Sequence, residues 1–342
     1  MSLRTASSTK TPMQLLGMAH GLITHQALYA AAKLGVADLL KDGPQTCSEL
    51  ARILKVDESA LYRILRLLAS QNVFEETSPR AFANTELSHF LRTGVPGSVR
   101  AILIFRGSEF FFEPFAEILY SIETGRAARA KVYGMEAFEY MKTHPETARI
   151  FDDAMTNMSE LVGPAVAAAY DFGKWGSLMD VGGGNGMLLA SILGAHPELR
   201  GVLADLPHTL ERARHCGFLG GELASRSAMQ PCDFFREVPS GCRAYVMKNV
   251  IHDWDDERAQ NILANCRRAV PADGALLLVE WALPEGNAPS AGKFADVVML
   301  LMTGGKERTV EEYRQLLDRA GFRLNQVVPT SPDLSIIEAL LQ

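Results

Sequence analysis

The chain is predicted to be α/β: a small helical module of winged-helix type, then a doubly wound, mostly parallel, Rossmann-like sheet of seven strands. Three observations predict this. Residues 13 to 100 read as helices with short breaks, ending in a hairpin. From residue 171 onward strand and helix alternate, and the first of those strands runs straight into a glycine turn. A length of 342 residues exceeds what one hydrophobic core usually organises. The predicted division is 1–100, 101–170 and 171–342.

In the first segment, Leu15, Leu16, Ala19, Leu22, Ile23 and the run from Gln26 to Ala32 keep helical spacing and predict one long amphipathic helix. Thr46 and Glu49 stand at capping-box spacing ahead of a second helix. A break at Val56 and Asp57 precedes a third, Glu58 to Ala69; Val73 to Glu76 and Ala81 to Asn84 then form a hairpin. Residues 100 to 170 read as further helices rich in aromatic residues and methionine. Strands follow at 178–181, 201–205, 227–232, 244–251, 275–283, 322–329 and 334–341, with a helix from Val310 to Ala320.

Composition narrows the function. Hydrophobic residues make up 47%, enough for a sizeable core, and a net charge of −6 argues against broad attraction to nucleic acid or anionic membrane. Five cysteines (Cys47, Cys216, Cys232, Cys242, Cys266), odd in number and without a C-x-x-C, disfavour disulfides and zinc clusters and fit a reducing cytoplasm. Met1 to Pro12 carries no basic-then-apolar leader, and the run Val297 to Met302 is far short of the roughly 20 residues of a membrane span. The expectation is a cytoplasmic protein without membrane or nucleic-acid partners.

The most informative stretch is Leu178-Met-Asp-Val-Gly-Gly-Gly-Asn-Gly186. Glycines let a ligand approach bare backbone and tolerate positive φ. A dinucleotide fingerprint would need glycine at 187 or 189, where Met187 and Leu189 stand. The turn, with Asp180 at the strand end, therefore suits a nucleoside ligand without a pyrophosphate. Asp205 closes the second strand at ribose-binding spacing from Gly184; Asp233 and Phe234 follow the third, and Lys248 lies near the end of the fourth. These supply a ribose acceptor, a carboxylate and ring for a base, and a cation for a carboxylate or hydroxyl.

Six motifs then coincide in order: Gly134-Met-Glu-Ala-Phe-Glu-Tyr140, Asp180-Val-Gly-Gly-Gly-Asn-Gly186, Asp205-Leu-Pro-His208, Asp233-Phe-Phe235, His252-Asp-Trp-Asp-Asp256 and Gly304-Gly-Lys-Glu-Arg-Thr309. Over nearly its whole length the chain resembles the S-adenosylmethionine-dependent O-methyltransferases of the plant caffeate type and their bacterial relatives acting on natural products. The resemblance implies Gly182 at the cofactor's amino-acid end, Asp205 at the ribose, Asp233 and Phe234 at adenine, and Lys248 as a further contact. Asp180, Gly184 and Leu206 join these as cofactor-binding candidates. Phe234 is often methionine in plant relatives; both pack against a flat base.

His252, just past the fourth strand, is the candidate general base. A phenol titrates near 10 and histidine near 6.5, so prior ionisation at neutral pH would cost about 4 kcal/mol. A base that takes the proton during bond formation avoids that cost. By resemblance Glu280 and Glu307 bracket His252 and hold its other nitrogen. No metal-ligand spacing such as H-E-x-x-H occurs, and no metal is expected.

Asp253, Trp254, Met155, Met158, Met299 and Met302 are the candidates for the acceptor pocket, methionine being an adaptable packer. The rival reading of the N-terminal module, a DNA-binding regulator, is opposed by a third helix with only Arg63 and Arg66 as cations. By resemblance that module is a dimerisation domain, making the protein a homodimer. Methylation of nitrogen or carbon, sulfonium-assisted hydroxylation and a silent binding protein remain as alternatives.

Overall fold

The structure, a computed structural model, describes residues 11–330 and 334–342. Residues 1–10, most of the tail read as leaderless, lie outside them. The chain divides into two compact units, one ending at Ser108 and one running from Glu109 to Gln342.

In the first unit the predicted long helix is two helices, Pro12–Ala19 and Gly21–Leu34. Gly17 and Gly21 flank the break, where glycine disfavours continuous helix, and the His20 N–H is shared between the Leu16 and Gly17 carbonyls. Thr46 and Glu49 form the predicted reciprocal cap on helix Cys47–Leu54, and Asp57 caps Glu58–Ser70 through the Ala60 N–H at 2.8 Å. Strands β1 (Gln45–Thr46), β2 (Phe74–Ser78) and β3 (Ala81–Asn84) make a small antiparallel sheet in the order β1-β3-β2. Leu50, Leu65, Leu68, Phe74 and Phe82 fill the core beneath it. Met13, Leu15, Leu16, Met18, Leu22 and Ile23 are left exposed.

The second unit begins with broken helices that end in the long helix Pro145–Ala169. Its sheet follows: β4 (Ser177–Val181), β5 (Arg200–Asp205), β6 (Ser227–Pro231), β7 (Ala244–Lys248), β8 (Ala275–Leu283), the two-residue β9 (Arg308–Thr309), β10 (Phe322–Pro329) and β11 (Leu334–Leu341). The order is β10-β11-β8-β7-β4-β5-β6, with β9 paired to the end of β8. The five central strands are parallel, while β11 runs antiparallel to both β8 and β10. The seven predicted strands are all present.

Both faces of the sheet are covered at its centre, so β4, β7 and β8 are near-continuous apolar runs, whereas β6 and β10 at the edges carry exposed polar residues. Met179, Val181, Leu276 and Leu278 pack into one core; Leu178, Leu203, Leu277 and Val279 pack into the other. One prediction needs correction: β7 stops at Lys248, not at residue 251. Asn249 turns the chain with φ 52°, and Ile251–Asp253 forms a short 3-10 turn. Val250 and Ile251 are β-branched because they are buried in that turn, which mimics a strand in the sequence. The strand order reverses between β4 and β7, and a ligand crevice opens at the carboxyl ends of strands at such a switch. Asp180, Asp205, Lys248 and Glu280 all lie at the ends of strands β4, β5, β7 and β8 or just before them.

Candidate active site

The glycine turn after β4 is forced by contacts as well as dihedral angles. Gly182, Gly184 and Gly186 take φ of 71°, 59° and 84°. A Cβ on Gly183 would come within 2.6 Å of the Asp180 carboxyl carbon, and one on Gly182 would stand 3.1 Å from Val250 and 3.4 Å from the Phe234 ring. Gly184 faces open space. Asp205 clamps the turn: one oxygen accepts the Gly184 N–H at 2.9 Å and the other the Leu206 N–H at 2.7 Å. The Thr209 hydroxyl bonds the same carboxylate, which leaves it capacity for one further donor.

Two acceptors beside the turn have no protein donor. Asp180 is buried with Oδ2 unpaired, and burial pushes its carboxyl up to about 7 despite nearby Lys248. Asn185 donates to Thr156 Oγ1 at 2.9 Å, while its buried carbonyl oxygen has no partner. Buried acceptors without donors are costly, so this crevice fits a ligand bearing a cation and N–H or O–H groups. That is the character of a sulfonium nucleoside with an amino-acid tail. Asn185, Thr156 and Asp152, which pairs with Arg212, were absent from the sequence prediction. Asn185 lies inside the glycine run and was open to discovery there; Asp152 and Thr156 sit on a helix remote in sequence.

Phe234 stands over Gly182, and Asp233, partly exposed, accepts the Phe235 N–H at 3.1 Å. Lys248 is held below its usual range by burial; Asp180, Glu280 and Asp253 act against that shift.

Around His252 the two predicted glutamates divide the work. His252 Nδ1 is hydrogen-bonded to Glu307 Oε1 at 2.6 Å and lies 3.7 Å from Glu280. Glu280 Oε1 instead accepts the N–H groups of Val250 at 3.1 Å and Ile251 at 2.9 Å, fixing the turn that carries the histidine. Asp253 stands 3.8 Å from Nε2. The trio His252, Glu280 and Glu307 also has metal-ligand donor types within 4.8 Å of one another, a grouping that linear spacing did not reveal. Nδ1 and Glu280 Oε1 already hold hydrogen bonds, while the buried Oε2 atoms of Glu280 and Glu307 have no partner.

Arg308, fully buried, was quoted in a motif but given no role. Its guanidinium donates to Asp256 Oδ1 at 2.8 Å, to the Trp254 carbonyl at 3.0 Å and to the Ile251 carbonyl at 3.3 Å, closing the His252 loop. Gly305 permits this approach: a Cβ there would sit 2.0 Å from the His252 carbonyl oxygen.

Burial pushes Asp253 and Glu280 up to about 7, and Glu307 to about 8 with Asp296 adding to the effect. Unfolded carboxyls titrate near 4, so between about 4.5 and 8 the folded protein binds more protons than the unfolded chain. The free protein is therefore expected to lose stability as pH rises through that window. Urea midpoints measured from pH 5 to 8.5 check this; a midpoint that climbs steadily over that range would refute it.

The acceptor candidates separate. Met155 and Met158 are half-buried on helix Pro145–Ala169, and Met299 and Met302 lie on helix Ala291–Met302. Trp254 is part of the core, stacked on Phe138 at 5.3 Å and edge-on to Phe235 at 4.7 Å, with its buried Nε1 unpaired.

Among the described residues no helix is long and apolar enough to cross a membrane. Residues 16–94 match the O-methyltransferase dimerisation domain and residues 115–323 the O-methyltransferase domain. The chain is similar to phenazine O-methyltransferase PhzM of Lysobacter antibioticus, 42% identical over 95% of each chain. It is also similar to phenazine-1-carboxylate N-methyltransferase of Pseudomonas aeruginosa, 32% identical over 97% of this chain and 98% of that one. Among solved structures, an O-methyltransferase from neocarzinostatin biosynthesis, in complex with S-adenosyl-L-homocysteine and 1,4-dihydroxy-2-naphthoic acid, superposes with a TM-score of 0.79. It is 33% identical, over 93% of this chain and 96% of that one. The glycine turn and the clamped strand end thus lie in a chain that belongs to the O-methyltransferase family, enzymes that methylate small natural products from S-adenosylmethionine.

Proposed function

We propose that this enzyme methylates a phenolic hydroxyl of a small aromatic or polyketide-like natural product, with His252 as general base. The observation that carries the reading is the His252–Glu307 pair at 2.6 Å, placed just past the end of β7 beside the glycine crevice. Glu307 takes the proton on Nδ1, which leaves Nε2 as the acceptor for the substrate's hydroxyl proton. S-adenosylmethionine, when bound, supplies a methyl group activated on a sulfonium. Asp205 meets the ribose hydroxyls with the acceptor capacity that Gly184, Leu206 and Thr209 leave it, Leu206 lies beside them, and Phe234 and Asp233 take the adenine face and edge. Gly182, Gly184 and Asp180 receive the amino-acid end, and Lys248 keeps the neighbouring carboxylates from repelling one another. Asp253, Trp254, Met155, Met158, Met299 and Met302 belong to the acceptor side. A phenol titrates near 10, well above neutral pH, so the base must act during transfer.

The test is mass spectrometry of a panel of phenols and nitrogen heterocycles incubated with S-adenosylmethionine, with the methylated position mapped. Methyl gain on oxygen supports the reading; gain on nitrogen or carbon alone refutes it. The N-methylating relative motivates the second reading. A pyridine-type ring nitrogen has no proton to lose, so its methylation would survive removal of His252, whereas oxygen transfer would slow sharply. Asp205→Asn is expected to weaken S-adenosylmethionine binding about tenfold or more by calorimetry, since hydrogen bonds to a charged group are lost. The exposed apolar residues of Pro12–Ala19 and Gly21–Leu34, with the matched dimerisation domain, support a homodimer, and the five free cysteines fit a reducing cytoplasm. Sedimentation at monomer mass would count against it.

A further inference from the structure

We propose that Arg129 is an anion receptor on the acceptor side of the site, selecting an aromatic substrate that carries a carboxylate. The proposal rests on the reading of Met302 as an acceptor residue and goes beyond it to substrate class.

Arg129 and Arg308 are both fully buried, and their surroundings are opposite. Arg308 has a carboxylate and two loop carbonyls. Arg129 donates through Nη2 to the Phe110 carbonyl and to Met302 Sδ at 2.9 Å, while Nε and Nη1 have no acceptor. Among the described residues no carboxylate pairs with it: the nearby Tyr133 hydroxyl donates to Glu113, which is exposed. Burial lowers its pKa to about 9, which still leaves the group charged at neutral pH. A buried cation with unmet donors is strongly unfavourable unless something completes it.

The surroundings indicate what completes it. The guanidinium lies 3.4 Å from the centre of the Phe110 ring, which stacks on Tyr140 at 4.9 Å and tilts against Tyr133 at 5.7 Å. Phe110 thus lies between the guanidinium and Tyr140, and Tyr140 between Phe110 and His144, so the rings fix the guanidinium plane and leave its unmet Nε and Nη1 donors as the edge that a carboxylate would meet. The remaining contact, Met302, is a weak acceptor on a flexible stem, able to yield to a carboxylate oxygen. Met302 also ends helix Ala291–Met302, which leads into the turn that delivers Glu307 to His252. A carboxylate seated at Arg129 would tether an acceptor at that end of the site through charge-assisted hydrogen bonds.

The experiment is calorimetric binding of matched pairs, a hydroxynaphthoate against the naphthol without its carboxylate and a hydroxybenzoate against phenol, to the full protein saturated with S-adenosyl-L-homocysteine. In at least one pair the wild type should bind the acid tighter by about tenfold or more, the scale of a hydrogen bond to a charged group. Arg129→Met should abolish that preference and Arg129→Lys should keep part of it, with affinity for S-adenosylmethionine unchanged in both. Equal affinities in every wild-type pair, or no acid binding at all, overturn the proposal whether or not the variants fold. A preference that persists in Arg129→Met overturns it as well. Dissociation of a wild-type dimer by Arg129→Met would assign the missing partner to a second copy and also overturn it. Binding needs no turnover, so absent methyl transfer would count against the proposed function alone.

Discussion

Replacing His252 with alanine is expected to lower turnover about 100- to 10,000-fold, the usual contribution of a positioned base, while S-adenosylmethionine still binds. The histidine is buried, its Nδ1 is held at 2.6 Å by Glu307, and its turn is pinned by two backbone hydrogen bonds to Glu280. Removing the ring takes away the proton acceptor and leaves the crevice backbone in place. Cofactor affinity by calorimetry beside single-turnover rates separates the two effects; rates near wild type would end the base assignment. A pH profile adds an independent check. Burial raises Glu307 to about 8, so below that pH its proton competes for the Nδ1 side and spoils the tautomer. The wild-type rate should therefore rise as pH climbs through about 8, and Glu307→Gln should be slower and lack that rise.

Replacing Arg308 with methionine is expected to destabilise the protein by about 2–4 kcal/mol, because the carbonyls of Ile251 and Trp254 lose their donor. The ion pair itself contributes less, since Asp256 is half exposed and retains Lys306 and Arg319. Turnover should fall as well, because the loop carrying His252 loosens. Urea denaturation beside activity checks both effects. Arg308→Lys is expected to rescue only part, since an ammonium lacks the planar fork that reaches all three acceptors. A variant as stable as the wild type would contradict the role.

Much of this was legible in the sequence, for identifiable reasons. Strand ends in a parallel sheet are fixed by apolar runs, and the crevice lies at their carboxyl ends, so Asp180, Asp205 and Lys248 followed from periodicity. Glu280 was readable for the same reason, as the last charged residue of the apolar run in β8. Its task was not readable: it binds backbone N–H groups, which no side-chain pattern announces. The choice of Glu307 over Glu280 as the partner of His252 needed coordinates, because the two distances differ by about one ångström across segments far apart in the chain. Arg129 was invisible because an arginine in a helical stretch reads as a solvated face until its burial is known.

Glu307 and Arg308 are adjacent in the chain, and one dipeptide both aims the imidazole and grips the loop beneath it. The helix Ala291–Met302 that precedes them reaches this dipeptide through Asp296, which accepts the Glu307 N–H and adds to the upward shift of its carboxyl. Evolution can redraw the rest of that helix's face toward a new acceptor, one side chain at a time, while Asp296, Glu307 and Arg308 keep the His252 loop in place.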